Sequence, residues 1–235
     1  MCWGYLTGKA SSSLLRVNAN PYLLMFLAAL PDIDLLLGIV GINHRTWTHS
    51  ILLWSVVFVP FFVIYRKRSV PYFIAPIQHI IFGDAIVGAW NRPFYPLSHF
   101  NFALGYSLFS IEVVALEAAG LAIFLLLTLA TKRARISFFV NSNRKVLAVL
   151  PLVLVAGFVL FILSYSAISD LFVDWGILRE DRLLDTVPIA VQHPLFPYVL
   201  AMHLILIGIL SASLLLSLNK KTSSTIKEPQ DSRHR

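Results

Sequence analysis

Six apolar runs, at about 22–43, 51–65, 71–90, 104–130, 146–168 and 195–218, restrict this chain more than any other feature. In hydrocarbon every backbone N–H and C=O must be satisfied internally, so runs of this kind fold as helices. The last three hold more than 20 mostly apolar residues each, enough at ~1.5 Å per residue to cross a hydrocarbon layer of ~30 Å. The first three carry prolines or polar groups, and 51–65 is short for a straight crossing, which predicts a bundle sheltered in part by the other half of the chain. Composition agrees. With 57% hydrophobic and 13% charged residues and a mean hydropathy of +0.76, the chain lies outside the balance of a soluble domain. The expected fold is all-α: a polytopic membrane protein of about six transmembrane or membrane-embedded helices.

The formal charge of +7 and pI near 9.7 do not point to nucleic acid, because the basic residues cluster between apolar runs instead of forming a face on a soluble scaffold. With the N-terminus cytoplasmic, 15 of the 19 Lys and Arg fall in inside connections, and only Arg45, Arg92, Arg179 and Arg182 fall outside. The positive-inside rule therefore predicts six crossings with both termini in the cytoplasm. Cys2 is the single cysteine, which excludes an intrachain disulfide and a cysteine-built metal site. Met1 to Asn20 has no apolar core with a small-residue cleavage site, so no cleavable leader is expected.

This topology brings the 44–50 connection, Asp84 and the 91–103 connection to the extracytoplasmic side, with Asp32 and His79 about 15 Å deeper. Three regions follow: a helical region at 1–103 that carries the polar residues, transmembrane helices at 104–218, and a disordered cytoplasmic tail at 219–235. The outer loop at 169–194 alternates acidic residues with Leu171, Phe172, Trp175 and Ile177, as an interfacial amphipathic helix or an ordinary structured loop would.

Ionisable side chains inside such runs are costly unless they are paired, ligated or facing water, which selects the candidate site. In Leu30-Pro31-Asp32-Ile33-Asp34 the two carboxylates would point to opposite sides of a regular helix. Pro31 breaks that regularity, so that one Asp can ligate an ion while the other binds a second ion or orients a histidine; neutralisation by Arg45 is the plainer alternative. In His44-Arg45-Thr46-Trp47-Thr48-His49-Ser50 the histidines are five apart, better served by a loop than by a helix face. Thr46, Thr48 and Ser50 suit the N-cap of the run at Ile51. Imidazole and carboxylate together suit Zn, Mn or Fe. His79 and Asp84, also five apart, need a local bulge or a helix end near Gly83 to share a face; a polar pair bonded across helices is the alternative. Glu112 is a possible additional ligand or proton carrier, and Glu117, His99, His193 and His203 read as packing, hydrogen-bonding or cavity-mouth residues.

These motifs, with Arg92-Pro93-Phe94-Tyr95-Pro96-Leu97-Ser98, resemble the prokaryotic family of predicted membrane-bound metal-dependent hydrolases, which is distantly similar to the zinc-dependent phospholipase C and P1 nuclease group. The likeness covers roughly the first 100 residues. It implies that Asp32, His44, His49, His79 and Asp84 ligate metal, that Asp34 is a ligand or a base beside them, and that the N-terminal half is a metal-binding bundle in the plasma (inner) membrane. The family usually carries a His in its first helix. Met1-Cys2-Trp3-Gly4-Tyr5 has none, which implies one ligand fewer or a start upstream of Met1.

The expected function is hydrolysis by one to three divalent metals, zinc first with manganese, iron or magnesium as alternatives, acting on a phosphoester or a lipid head-group bond. Asp34 and Arg45 are the candidate catalytic residues. The partners expected are the bilayer and a small-molecule or lipid substrate, and no nucleic acid. A non-catalytic protein with a structural metal or buried polar core would instead close the coordination shell. An ion-coupled transporter would use the same residues as an ion path, but the chain shows no inverted repeat.

Overall fold

The computed structural model describes residues 1–34, 45–87, 91–107, 109–130, 149–156 and 193–225. The expectations for His44, for most of the 169–194 loop and for the tail beyond Thr225 fall outside these residues. Among the described residues the chain is helical, without a strand; Val87 and Tyr106 form an isolated bridge.

The N-terminal part is built from four helices: α1 (Cys2–Leu14), α2 (Pro21–Ala29), α3 (Ile51–Tyr65) and α4 (Val70–Gln78). Asn20 starts α2: its side chain accepts from Tyr22 N–H (3.0 Å) and Leu23 N–H (3.2 Å), while Pro21 occupies the first turn, where no donor is needed. Its backbone N–H is held by the Tyr72 hydroxyl of α4 at 2.8 Å. α1 packs hard against both partners through Gly4, where a Cβ would stand 2.2 Å from that of Ala28, so the helices meet at backbone distance.

Two longer helices complete the frame, α5 (Ile111–Leu129) and α6 (Phe196–Thr225). Tyr5 meets Phe124 edge-on at 5.2 Å, and one core joins Tyr22, Leu24, Met25, Phe124, Leu150 and Leu210. A second cluster, Trp54, Phe58 and Ile80, fixes α3 against α4.

The six apolar runs resolve unequally. Ile111–Leu129 and Phe196–Leu216 are long and apolar enough to cross a membrane, at ~1.5 Å per residue. The helices in 51–65 and 71–90 are shorter than these two, α3 having 15 residues with Pro60 inside it. Runs 22–43 and 146–168 extend beyond the described residues. The run expected from 104 turns helical only at Ile111, because Leu104 and Tyr106 give their N–H groups to the carbonyls of Ala85 (2.6 Å) and Ile86 (3.1 Å) instead. α6 continues past Leu218 to Thr225.

Candidate metal centre

Three non-α pieces of backbone build the site, and each sits where the local sequence prevents a regular helix. At the end of α2, Pro31 helps set a 3-10 turn over Leu30–Ile33 that carries Asp32 and leads into Asp34. Between α4 and the short helical turn Asp84–Ile86, a π-turn spans His79–Gly83, with the Asp84 N–H bonded to the His79 carbonyl. One extra residue in the turn brings positions five apart onto one face, the bulge that the His79 to Asp84 spacing requires. The third piece is the loop at 45–50. Arg45 opens it with a φ of +62°, Trp54 Nε1 holds the Thr48 carbonyl at 2.7 Å, and Ser50 caps α3.

These pieces converge on four donors. His49 Nε2 lies 3.0 Å from Asp84 Oδ2 and 3.5 Å from Asp32 Oδ1; His79 Nε2 lies 3.3 Å from each of the same oxygens. All four donor atoms fall within 4.8 Å of one another. A tetrahedral ion with ligands at ~2.0–2.1 Å has donor separations of about 3.3 Å, so the four measured edges match. His79 Nε2 and Asp84 Oδ2 are buried yet in no hydrogen-bond geometry. Buried polar atoms are otherwise paired, and lone pairs aimed at a common point are what a cation satisfies. The group could hold a metal ion, and its imidazole and carboxylate donors suit a divalent one.

The two aspartates divide their work around one ring. Asp32 faces His49 Nε2, whereas Asp34 lies on the opposite side with Oδ2 3.0 Å from Nδ1. The same Asp34 oxygen accepts from Arg45 N–H at 3.0 Å and from the Thr48 hydroxyl. Asp34 is fully buried. Sequence expects Asp34 as a ligand or the base; here its Oδ2 is engaged by Arg45 N–H, the Thr48 hydroxyl and His49 Nδ1, the place of the carboxylates that stand behind metal-bound imidazoles.

Arg45, the other candidate catalytic residue, is also engaged behind the donors. Its Nη2 pairs with Asp84 Oδ1 at 3.2 Å and its Nη1 donates to the Val87 carbonyl at 2.8 Å, so it anchors Asp84 from behind. Burial pushes the His49 imidazole toward its neutral form, but the Asp84 carboxylate and the contacts with Asp32 and Asp34 outweigh that and hold its pKa well above the ordinary histidine value.

The other candidates are elsewhere. Glu112 is exposed in the first turn of α5, where a carboxylate complements the helix dipole; it is not in the donor group. His99 contacts Arg92 Nη1 at 3.5 Å, His193 stacks on Phe109, and His203 faces the Val199 carbonyl. The 45–50 loop and the Asp32 turn, set apart in the sequence reading, meet where His49 Nε2 lies 3.5 Å from Asp32 Oδ1. Sequence reasoning read Thr48 only as a cap and passed over Asn91, which is buried and donates to the Ile80 carbonyl at 2.7 Å, holding the π-turn. The small polar residues beside the ligand motifs were the available signal.

Two apolar helices of crossing length, with a largely buried carboxylate and imidazole group in the N-terminal part of the chain, define a helical membrane protein with a candidate metal centre. The chain belongs to the YdjM inner membrane protein family, whose family model matches residues 1–169. That match covers all four donors and continues past α5, beyond the roughly 100 residues that carry the motifs. No curated protein and no solved structure matches the chain.

Proposed function

We propose that this protein is a membrane-bound metal-dependent hydrolase, with one divalent ion, zinc first, held by Asp32, His49, His79 and Asp84. The observation that carries the reading is the exposure of one donor. The Asp32 side chain is 40% exposed while His49 is fully buried and Asp84 nearly so. Four protein ligands fill a tetrahedral shell, so the opening at Asp32 is where a water would add as a fifth ligand, an expansion that catalytic zinc sites allow. When bound, the metal supplies Lewis acidity and lowers the pKa of water at neutral pH. The residues do the rest. Asp34 holds the His49 ring, Arg45 holds Asp84, and Asp32, the exposed carboxylate, would be the group placed to take a proton from water. A phosphoester, soluble or in a lipid head group, is the substrate class; this rests on the family resemblance alone.

The same reading assigns six crossings, both termini in the cytoplasm and the centre on the extracytoplasmic side. Its support is the excess of Lys and Arg in the inside connections and the way α5 and α6 start together: Phe109, just before α5, lies 6.4 Å from Phe196 at the start of α6.

The test is elemental mass spectrometry on the detergent-purified full chain, alongside Asp32→Asn and His79→Ala variants confirmed as folded, followed by a phosphoester panel. Near-stoichiometric metal in the wild type that the variants lose, with metal-dependent turnover, is the expected result. Wild-type protein that takes up no metal when supplied with it sinks the reading.

A further inference from the structure

We propose that the segment 91–106 is an interfacial rim that seats the centre at the headgroup plane of an anionic lipid leaflet. This goes beyond the hydrolase reading and does not depend on it. The segment is part of the frame of the site. It is tied to the His49 loop by Ile51 N–H to the Pro93 carbonyl (2.8 Å) and by the Ser50 hydroxyl to the Tyr95 carbonyl, and to the Asp84 turn by Leu104 N–H to the Ala85 carbonyl (2.6 Å).

Its backbone is irregular, and irregular backbone is not tolerated against lipid hydrocarbon. Yet its outward side chains are those that water disfavours. Phe94, Leu97, Phe100, Phe102 and Leu104, with Trp47 from the facing loop, are between 44% and 83% exposed. An apolar patch of this kind marks a covered surface, and the headgroup region accepts both an irregular backbone and aromatic side chains.

Position in the fold selects the lipid boundary. The segment leads through Phe109 into α5, and Phe109 packs against His193 (4.9 Å) and Phe196 at the start of α6. The rim therefore precedes the point where both helices of crossing length begin. Charge suits an anionic lipid: residues 91–106 contain no Asp or Glu, and their formal cation, the half-buried Arg92, sets its Nη1 3.5 Å from the exposed His99.

The experiment uses the full chain in lipid nanodiscs with Trp47 retained and Trp3, Trp54, Trp90 and Trp175 replaced by Phe. Lipid brominated near the carbonyl end of its chains should quench Trp47 about twofold or more, ahead of lipid brominated near the methyl end and of aqueous iodide. The quenching should be stronger in anionic than in zwitterionic discs, and Arg92→Gln should erase that difference. Quenching by iodide without quenching by lipid would put the rim in water, and quenching by neither would put it under protein; each overturns the proposal. Equal quenching in both kinds of disc overturns the choice of anionic lipid. If the multiple Trp variant does not fold, a polarity-sensitive fluorophore on Leu97→Cys in a Cys2→Ala background is read with the same quenchers.

Discussion

Replacing Asp34 by Asn separates orienting a ligand from being one. The amide keeps the size and one acceptor but loses the charge behind His49 Nδ1, so metal affinity should fall about 10–100-fold, whereas His49→Ala should abolish binding; competition with a chelator of known affinity reads both. Equal losses would place Asp34 among the ligands after all. Acid should weaken binding. His49 is held protonated by its carboxylate neighbours in the metal-free protein, and only the neutral ring ligates, so loading expels a proton and affinity rises with pH. Calorimetry in buffers of different ionisation enthalpy counts the protons released. At this scale the sequence was informative about residue type, since buried Asp and His within apolar runs are costly enough to announce themselves. It could not say which of Asp32 and Asp34 faces which nitrogen of His49, because that depends on how a loop distant in the chain folds back over them.

The π-turn is the element whose register the centre depends on. Inserting an alanine after Ile81 should carry Asp84 one position further along the turn, rotating it about 100° away from His79. Metal should then be lost while helical circular dichroism is retained; an insertion variant that still binds would show that the register is incidental. Ser50 offers a milder test. Its hydroxyl accepts from Leu53 N–H at 3.4 Å and donates to the Tyr95 carbonyl, and Ser50→Ala should cost about 1 kcal/mol, read as a lowered Tm in detergent. Both elements were legible beforehand in part. The five-residue spacing and Pro31 each demanded irregular backbone, and irregular backbone is what the structure has at both places. The start of α5 at Ile111 was not legible. Leu104 and Tyr106 are apolar enough to continue a helix, and their pairing with Ala85 and Ile86, with Gly105 between them at a φ of +79°, keeps them out of it.

For the whole molecule, the close approach of α1 to α2 is the packing on which the frame of the site rests. Gly4→Val should lower stability by about 1–3 kcal/mol through overpacking, with recovery when Ala28, whose Cβ stands in the way, is changed to Gly; thermal melts of the two single variants and the double variant measure the coupling. The sequence by itself determined the helical membrane class, because transfer of apolar side chains and satisfaction of the backbone are summed along the chain. It also pointed to the residue types of the candidate site and to where the helices must break. Only the tertiary structure decided that Asp32, His49, His79 and Asp84 share one point, that Asp34 and Arg45 stand behind them, and that Glu112 does not join them. The physical reason is that donor convergence is set by contacts between segments far apart in sequence, and side-chain costs at single positions do not encode those contacts.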